Sequence, residues 1–275
     1  MPSLRARIDA ILLERILRRP FVYEDSHGLR YVLYPGENAR IYLDNGGNYE
    51  VAETRLCERV LASGDVAVDV GANIGLYTLQ FSRLVGEQGR VHAFEPAPEN
   101  ARRLRINVLL NGAGNVHVSE CAVYSSSGSV TLNLFEQRLG SWNTLGSPTL
   151  PDPFNRGHTI APSASLDVPA TTLDEYAEDA GIDRIALLKV DVEGAEPDVL
   201  AGAAELLAAR RIGTILFEVS LPQAASLGHD ATMPFAQLAA AGYATHRIQV
   251  DGSLGERVTR AEERYANYAA VPADA

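Results

Sequence analysis

The sequence has few of the features that mark secreted, zinc-binding or membrane proteins. Its 275 residues contain two cysteines, Cys57 and Cys121, which form neither a CxxC pair nor any metal-ligand spacing. A disulfide framework and a cysteine metal site are therefore not expected, and a reduced, cytoplasmic setting fits best. No apolar run approaches the roughly 20 residues that a membrane span requires, and the sequence shows no signal peptide.

Positive charge is also scarce. The chain carries 24 Lys and Arg residues against 35 Asp and Glu residues, which gives a formal net charge of −11. Nucleic acids and anionic membranes attract basic surfaces, so neither is expected as the main partner. One stretch, residues 4–19, is locally basic and has apolar residues at helical spacing. It predicts a helix that packs on its own domain or on a second subunit of a homodimer, with a membrane surface as the alternative.

Past Gly64 the pattern alternates between apolar strands and helices. The predicted strands are Val66–Val70 and the segments 90–96, 116–123, 185–192, 214–220, 244–250 and 264–272. Such alternation predicts an α/β fold with a mainly parallel sheet that is covered by helices on both faces. Residues 1–63 are predicted to form an N-terminal helix and a β-hairpin extension, and residues 64–275 to form one domain.

Sheets of this kind bind ligands at the carboxyl ends of their strands. In this sequence acidic side chains stand at several of those ends, next to small residues that leave the backbone accessible. The predicted ends are Asp69–Gly71, Glu95, Cys121–Val123, Asp191–Gly194 and Glu218. Repeated carboxylates at one edge favour a binding site over chance, and Ala122 is a candidate ligand contact at the third end.

The turn after the first strand lacks the glycine patterns of phosphate-binding loops. Gly71 and Gly75 are spaced GxxxG rather than GxGxxG, and no Lys-Ser or Lys-Thr pair follows, so a nicotinamide dehydrogenase is not expected. Glu95 stands where an acidic side chain accepts hydrogen bonds from the two hydroxyls of a ribose. Asp69 would repel a pyrophosphate but suits a cationic ligand, unless it only caps the following helix. Together these residues indicate a cationic nucleoside, S-adenosylmethionine.

Four segments resemble the FkbM family of S-adenosylmethionine-dependent methyltransferases. They are VAVDVGANIGLYTL, VHAFEPAPENARRLRINVLLNG, TTLDEYAEDAGIDRIALLKVDVEGAEPDVLAGA and ILFEV, within residues 47–219. The resemblance implies a class I methyltransferase domain, a Rossmann-like sheet of seven strands with the last strand antiparallel. It also implies methylation of a hydroxyl oxygen on a small molecule, such as a sugar or a secondary metabolite.

The resemblance assigns roles to individual residues by position. The donor loop corresponds to Asp69, Gly71, Asn73 and Gly75, the ribose-binding acid to Glu95, and the family's DxEG segment to Asp191 and Glu193. Glu50 ends the segment NYE, which looks like the family's segment ahead of the first core strand and is expected to lie over the donor.

Methyl transfer to an alcohol needs a base that accepts the hydroxyl proton. Strand alternation predicts that Lys189, Asp191 and Glu193 lie on one side, with Lys189 in a buried ion pair rather than in catalysis. We interpret Asp191 and Glu193 as candidates for the base or for acceptor contact, and a helix-capping charge cluster is the alternative. His158 is the rival base. Adjacent carboxylates also permit a divalent cation, but no His or Cys cluster accompanies them and no metal is expected.

The segment from Glu136 to Ser165 has no periodicity and contains four prolines and the single tryptophan, Trp142. It predicts either a cover over the acceptor or a surface excursion anchored by Trp142. The Asn/Asp-Pro-Pro-aromatic tetrapeptide of many nucleic-acid amino methyltransferases is absent. A non-catalytic nucleoside-binding or assembly protein that keeps the fold is the alternative to an enzyme.

Overall fold

The computed structural model of the chain describes residues 20–34, 50–151 and 157–274. The helix predicted within residues 4–19 lies outside these ranges, as does the NYE segment apart from Glu50. In the described parts of the chain, no helix has both the length and the apolar composition needed to cross a membrane.

Strands and short helices alternate along the described chain. The strands are β1 (Phe21–Glu24), β2 (Arg30–Leu33), β3 (Val66–Val70), β4 (Arg90–Phe94), β5 (Val116–Ser119), β6 (Ala122–Val123), β7 (Gly128–Leu134), β8 (Leu150–Pro151), β9 (Thr159–Ile160), β10 (Ala164–Thr171), β11 (Ile185–Val190), β12 (Ile212–Ser220), β13 (Tyr243–Ile248), β14 (Leu254–Arg257) and β15 (Tyr265–Pro272). The helices are α1 (Val51–Val60), α2 (Leu76–Val85), α3 (Pro98–Leu110), α4 (Leu173–Asp179), α5 (Glu196–Ala201), α6 (Ala204–Ala208), α7 (Leu221–Ser226) and α8 (Met233–Ala240), with a 3₁₀ helix at Gln137–Trp142.

An eight-stranded sheet forms the centre of the fold, in the order β14-β13-β15-β12-β11-β3-β4-β5. Strands β12, β11, β3, β4 and β5 are parallel, and β15 lies antiparallel between β12 and β13. This order confirms the predicted class I methyltransferase fold. The predicted count of seven strands missed β14, a short polar strand that pairs antiparallel with β13 after a tight turn at Gly252.

The strand predicted over residues 116–123 is divided between two sheets. Its first half, β5, stays beside β4, whereas β6 pairs in parallel with β10 in a three-stranded sheet of order β6-β10-β7. The interruption falls at Glu120, an exposed residue whose carboxylate accepts a hydrogen bond from Arg105 of α3 at 2.8 Å. The predicted third strand end therefore belongs to the small sheet.

Helices cover both faces of the central sheet. Apolar side chains such as Val68, Val70 and Leu188 pack against α4, α5, α6 and α8 on one face. On the other face Ala67 and Leu187 pack against α1 and α2. Successive residues of β3 thus enter different clusters, as strand alternation requires, and burial of both faces explains why the strands are continuously apolar.

The ladder register brings the ends of β3, β4 and β11 to one level with Phe217 of β12, which continues to Ser220. Val70 pairs with Phe94 of β4 and with Val190 of β11, and Val190 pairs with Phe217 of β12. The residues that follow these four are Gly71, Glu95, Asp191 and Glu218. We call this level the carboxyl edge of the sheet, and it is where the candidate site lies.

The predicted hairpin is present as β1 and β2, with the turn at Asp25–Gly28. Tyr31 and Leu33 are buried in a cluster that also contains residues of the donor loop and α2. Asn107 of α3, which is fully buried, accepts a hydrogen bond from the Val32 N–H and donates one to the Ile74 carbonyl oxygen, both at 2.8 Å. The hairpin thus packs on the central domain, and the domain division at residue 63 stays a prediction.

Replacement of Asn107 tests this connection. We expect Asn107→Ala to lower the free energy of unfolding by about 2–5 kcal/mol, because the partners of two backbone groups are lost together. The matched control is Leu109→Ala on the same helix, where the side chain is 79% exposed and the expected change is within about 0.5 kcal/mol. Urea denaturation of both variants checks the prediction, and equal losses would contradict it.

Candidate functional site

A cavity of about 380 Å³ opens at the carboxyl edge of the sheet. Its walls come from the ends of β3, β4, β11 and β12, from the small sheet, and from the segment after β7. The polar and charged lining residues include Asp69, Asn73, Tyr77, Glu95, Asn100, Ser141, Asn143, Thr144, Lys189, Asp191, Glu193, Glu218, Gln223 and Tyr265, and the apolar ones include Leu76, Phe94, Ala122, Val123, Leu132, Trp142 and Leu145. The volume suits a small-molecule ligand.

The donor loop after β3 passes very close to the start of the DxEG segment. Gly71 has a φ of +83°, and a Cβ atom there would lie 1.8 Å from the carbonyl oxygen of Asp191. The N–H groups of Gly71 and Ala72 both donate to the Phe94 carbonyl oxygen, which fixes the loop against β4. Only glycine fits at position 71, so the loop presents backbone instead of side chain to the cavity.

The second glycine of the loop has a packing role. A Cβ atom at Gly75 would lie 2.5 Å from a methyl carbon of Leu104 on α3, and Gly75 is absent from the described cavity lining. Asn73 lines the cavity with a positive φ of 50°. The loop residues predicted together therefore divide into Gly71 and Asn73 at the cavity and Gly75 behind it.

Glu95 is buried and holds the donor loop in place. One carboxylate oxygen accepts a hydrogen bond from the Ala97 N–H at 2.9 Å, and the other accepts one from the Asn73 N–H at 2.8 Å. Burial raises the pKa of Glu95 to about 7, against the opposing effect of these backbone donors. The Asn100 side chain forms a further hydrogen bond to the carboxylate. The residue lines the cavity, and its remaining acceptor capacity can take a hydrogen bond from a ligand.

Asp69 leaves one acceptor unused. Its Oδ2 accepts a hydrogen bond from Thr78 Oγ of α2 at 2.6 Å, whereas the buried Oδ1 has no hydrogen-bond partner among the described residues. Burial raises the pKa of Asp69, and the charge of Lys189 and the Thr78 hydrogen bond oppose the rise. A buried acceptor without a donor is unfavourable, so the geometry fits a ligand that brings an N–H group or a positive charge.

Lys189 is the only lysine in the sequence and lies at the centre of the acidic groups. Its ammonium group is 2.8 Å from Asp191 Oδ2 and 4.6 Å from the centre of the Tyr77 ring. Burial acts to lower the pKa of Lys189, but the carboxylates of Asp191, Asp69 and Glu50 outweigh it and raise the pKa. The side chain stays charged, in the ion pair that the sequence predicts.

Glu50 is connected to the cavity by a hydrogen bond with Tyr77. Its carboxylate accepts a hydrogen bond from the Tyr77 hydroxyl, and Tyr77 lines the cavity while Glu50 is absent from the described lining. Burial raises the pKa of Glu50, and the charge of Lys189 opposes the rise. In the described structure, this predicted donor residue is one contact removed from the cavity.

Three carboxylates, one of which is the Lys189 partner Asp191, come together at the carboxyl edge. One oxygen from each of Asp191, Glu193 and Glu218 lies within 4.8 Å of the others. Burial raises the pKa of both Glu193 and Glu218 well above the ordinary value, and the charge of Asp191 adds to the rise. No histidine lines the cavity in the described part of the chain, and a group of acidic side chains alone does not establish a metal site.

Glu193 is held at both its backbone and its side chain. The residue has a φ of +53°, and its carbonyl oxygen accepts a hydrogen bond from Thr144 Oγ at 2.6 Å. Its Oε2 accepts a hydrogen bond from the Gln223 amide at 2.9 Å. Thr144 belongs to the segment after β7, so that segment and the DxEG turn are directly connected.

The segment from Glu136 to Ser165 is described except for residues 152–156. Its first part folds over the cavity, where Trp142 lines the wall and its ring meets Phe135 edge to face at 6.1 Å between centroids. Thr144 forms a bridge with Asn133 of β7, which fixes this part against the small sheet. His158 is exposed and absent from the described lining, so the structure does not bring it to the carboxylates.

Sequence reasoning missed the contacts of Tyr77, Gln223 and Thr144 with the site. Tyr77 belongs to the helical pattern after the donor loop, where its spacing indicates only a core residue. Thr144 and Gln223 lie in segments whose approach to the DxEG turn depends on tertiary packing. Glu218 was visible as a strand-end carboxylate, and the register explains why it joins Asp191.

Substitution at Gly71 tests the close approach of the two loops. We expect Gly71→Ala to unfold the protein or to abolish ligand binding in the cavity, because the new methyl group would overlap the Asp191 carbonyl group. Gly112→Ala is the matched control, since Gly112 has a φ of +61° with nothing within 4 Å of its Cβ position. Backbone strain alone should cost the control about 1–2 kcal/mol. Thermal denaturation compares the two, and a Gly71 variant as stable as the control would contradict the geometry.

The sequence has relatives among characterised methyltransferases. Methyltransferase sdnD of Sordaria araneosa is 35% identical over 165 residues, which are 53% of this chain and 62% of that protein. The 31-O-demethyl-FK506 methyltransferase FkbM of Streptomyces tacrolimicus is 32% identical over 164 residues, 52% of this chain and 60% of that protein. Hexuronic acid methyltransferase AglP of Haloferax volcanii is 28% identical over 194 residues, 70% of this chain and 71% of that protein.

The matched region spans about three fifths of the length of the first two relatives. An alignment with the crystal structure of methyltransferase FkbM from Methylobacillus flagellatus KT covers 76% of this chain and 43% of the other protein's chain, with a TM-score of 0.45 and 18% identity. The fold assignment rests on the strand order described above.

Residues 69–244 match the family model of the methyltransferase FkbM domain, from the donor loop through the DxEG segment to β13. The chain therefore belongs to the FkbM family of S-adenosylmethionine-dependent methyltransferases.

Proposed function

We propose that the protein is an O-methyltransferase that uses S-adenosylmethionine to methylate a hydroxyl group of a small molecule, such as a sugar or a secondary metabolite. The observation that carries the proposal is the position of Glu193. Its carboxylate, with a pKa raised well above the ordinary value, faces the same cavity as the donor loop and Glu95. One cavity thus combines a nucleoside-binding edge with a base.

The residues of the donor end fit S-adenosylmethionine. Glu95 would accept hydrogen bonds from the ribose hydroxyls, and the unused Oδ1 of Asp69 would accept from the cationic part of the ligand. Gly71 and Asn73 would face the ligand with their backbone, and Ala122 would contact it from the small sheet. When bound, S-adenosylmethionine supplies a methyl group on a positively charged sulfur.

The acceptor end needs a group that takes a proton from a hydroxyl. Glu193 suits this role because its raised pKa makes the carboxylate a stronger base than an exposed glutamate. Asp191 is bound to Lys189 at 2.8 Å and is therefore less available for proton transfer, although it remains close enough to contact the acceptor. His158 stays the rival candidate from the sequence, and its exposed position favours Glu193.

The relatives support methylation of oxygen on a small molecule. Two of them are a 2-O-methyltransferase, NoeI of Sinorhizobium fredii, and the hexuronic acid methyltransferase AglP described above. The five lining carboxyl groups against one lysine also disfavour a nucleic-acid acceptor. A cytoplasmic location and a homodimer remain predictions from the sequence.

Substitution of Glu193 tests the base. We expect Glu193→Gln to lower turnover by about 10²–10⁴-fold while it leaves S-adenosylhomocysteine affinity largely unchanged, because the amide cannot accept the proton. The assay is mass spectrometry of a library of hydroxyl compounds after incubation with the donor, which detects the gain of a methyl group. Asp191→Asn should weaken both binding and turnover, because it also breaks the ion pair with Lys189.

His158→Ala separates the two candidate bases. Full activity in this variant is the expected result, since His158 is exposed and away from the described cavity. If it abolishes turnover while Glu193→Gln stays active, the loop histidine is the base. Binding of S-adenosylhomocysteine without methylation of any acceptor would favour the non-catalytic alternative.

The pKa of Glu95 makes donor affinity depend on pH. Because the pKa is raised to about 7, the side chain gains a proton as the pH falls through that value and then accepts fewer hydrogen bonds. S-adenosylhomocysteine should therefore bind more weakly below pH 7, by up to about tenfold per pH unit, with one proton released on binding. Calorimetry between about pH 5.5 and 8.5 in two buffers of different ionisation enthalpy measures both effects.

The control for this prediction is Glu95→Gln. This variant should bind S-adenosylhomocysteine more weakly by about 1.5–3 kcal/mol and without the change near pH 7. Glu196, which is also buried and has a pKa raised to about 7, provides the alternative source of a pH effect. A pH dependence that persists in Glu95→Gln would assign it to Glu196 and contradict the ribose role.

A further inference from the structure

Gln223 lies at the start of α7, and its side chain forms hydrogen bonds with both Ser220 and Glu193. The residue is 1% exposed, and its Nε2 donates a hydrogen bond to Glu193 Oε2 at 2.9 Å. Its Oε1 accepts a hydrogen bond from the hydroxyl of Ser220, which is also 1% exposed. The two side chains form a directed chain of donors that ends on the carboxylate.

The sequence pattern around Gln223 usually serves a different purpose. Ser220 and Gln223 are three residues apart at a helix start, which is the spacing of a capping box. In a capping box both side chains bind backbone N–H groups, but Ser220 makes no such cap here. Ser220 instead pairs with Tyr265 in the sheet, and the Leu221 N–H donates to the Arg264 carbonyl oxygen. The Gln223 amide is therefore available for Glu193.

The backbone fixes the distance between the two residues. Gly194 has a φ of +104°, and a Cβ atom there would lie 2.5 Å from the Ala224 N and 2.6 Å from the Gln223 carbonyl carbon. The DxEG turn and the start of α7 are thus in direct contact. This contact keeps the Gln223 backbone next to the DxEG turn, and the side chain is buried there.

The amide orientation follows from the chemistry of its two partners. The Gln223 NH₂ group faces Glu193 Oε2, and a carboxylate accepts this hydrogen bond best in its ionised form, which has no donor of its own. The amide oxygen then faces Ser220, whose hydroxyl donates to it. If the amide were flipped, its oxygen would face a carboxylate oxygen, and contact between two buried acceptors is strongly unfavourable.

We propose that Gln223 is a positioning residue that, with its amide oriented by Ser220, holds the Glu193 carboxylate in the direction from which it takes the acceptor proton. This inference rests on the proposed role of Glu193 as the base. The other groups that face Glu193 are Asp191 on the same strand end, Glu196 of α5, Glu218 of β12 and Lys189 of β11. The acidic ones oppose ionisation of Glu193, and Gln223 and Lys189 favour it.

The test replaces the amide with an apolar side chain of similar length, Gln223→Met. Carboxyl ¹³C NMR of glutamate-labelled protein follows the titration of Glu193, which Glu193→Gln assigns by the loss of its signal. Loss of the donated hydrogen bond should shift this titration upward by about 1–2 pH units. Affinity for S-adenosylhomocysteine should stay unchanged, which shows that the variant keeps its fold.

Gln237→Met is the matched control. Gln237 of α8 also donates its amide to a single acceptor, the Pro197 carbonyl oxygen at 3.0 Å, but it does not contact Glu193. Its substitution should leave the titration unchanged. An equal shift in both variants, or no shift in Gln223→Met, overturns the proposal.

Ser220→Ala provides a second variant in case Gln223→Met fails to fold. It keeps the Gln223 amide but removes the donor that orients it, so we expect an upward shift smaller than that of Gln223→Met. An unchanged titration in Ser220→Ala would overturn the role of the serine and with it the directed chain. If the titrations shift as expected but Glu193→Gln keeps full turnover, the proposed base is wrong while the positioning of Glu193 by Gln223 stands.

Discussion

One buried ammonium group, that of Lys189, balances the carboxylates at the carboxyl edge of the sheet. Every other basic residue of the chain is arginine or histidine. Lys189 pairs in the ladder with Asp69 of β3, and its side chain ends 2.8 Å from Asp191 and above the Tyr77 ring. A compact ammonium needs three acceptors at most, whereas an arginine would bring five donors into the same space. Without a positive charge here, the surrounding acids would have to take up protons, because isolated buried charges are costly.

The carboxyl groups around this charge differ in how they contact it. Asp191 forms an ion pair with the ammonium at 2.8 Å, and Asp69 pairs with Lys189 in the ladder between β3 and β11. Burial, with the charge of Asp191 added, raises the pKa of both Glu193 and Glu218 well above the ordinary value, and the charge of Lys189 opposes the rise only in part. One buried cation thus offsets only part of the effect of burial on these acids. In the proposed function, the acids of the donor end would bind the cationic ligand and Glu193 would accept the proton.

The sequence predicted the parts of the fold that depend on periodicity and on strand ends. The alternation of apolar strands and helices gave the parallel sheet, and the acidic strand ends gave the edge where the cavity opens. Periodicity failed at residues 116–123, because an apolar segment does not reveal that its two halves pair with different sheets. The hydrogen-bond partners of Glu193 could not be predicted from the sequence either. Gln223 lies 30 residues further along the chain, in a sequence pattern that indicates a helix cap. The exposure of His158 could not be predicted, because the composition of a loop does not determine how the loop folds.

The division of one predicted strand between two sheets separates the two ends of the cavity topologically. The three-stranded sheet and the segment after β7 pack in a small apolar cluster that includes Leu132, Val168 and, from the loop after β4, Ala97, and they supply the wall that contains Trp142. The donor loop, Glu95 and the DxEG turn depend instead on the register of the central ladder. Insertions or deletions between β7 and β10 can therefore reshape the wall that contains Trp142 and leave the register of the central ladder in place, as long as the hydrogen bond from Thr144 to Glu193 is kept. The side chains of that wall can thus vary in evolution while the donor loop and Glu95 keep their positions.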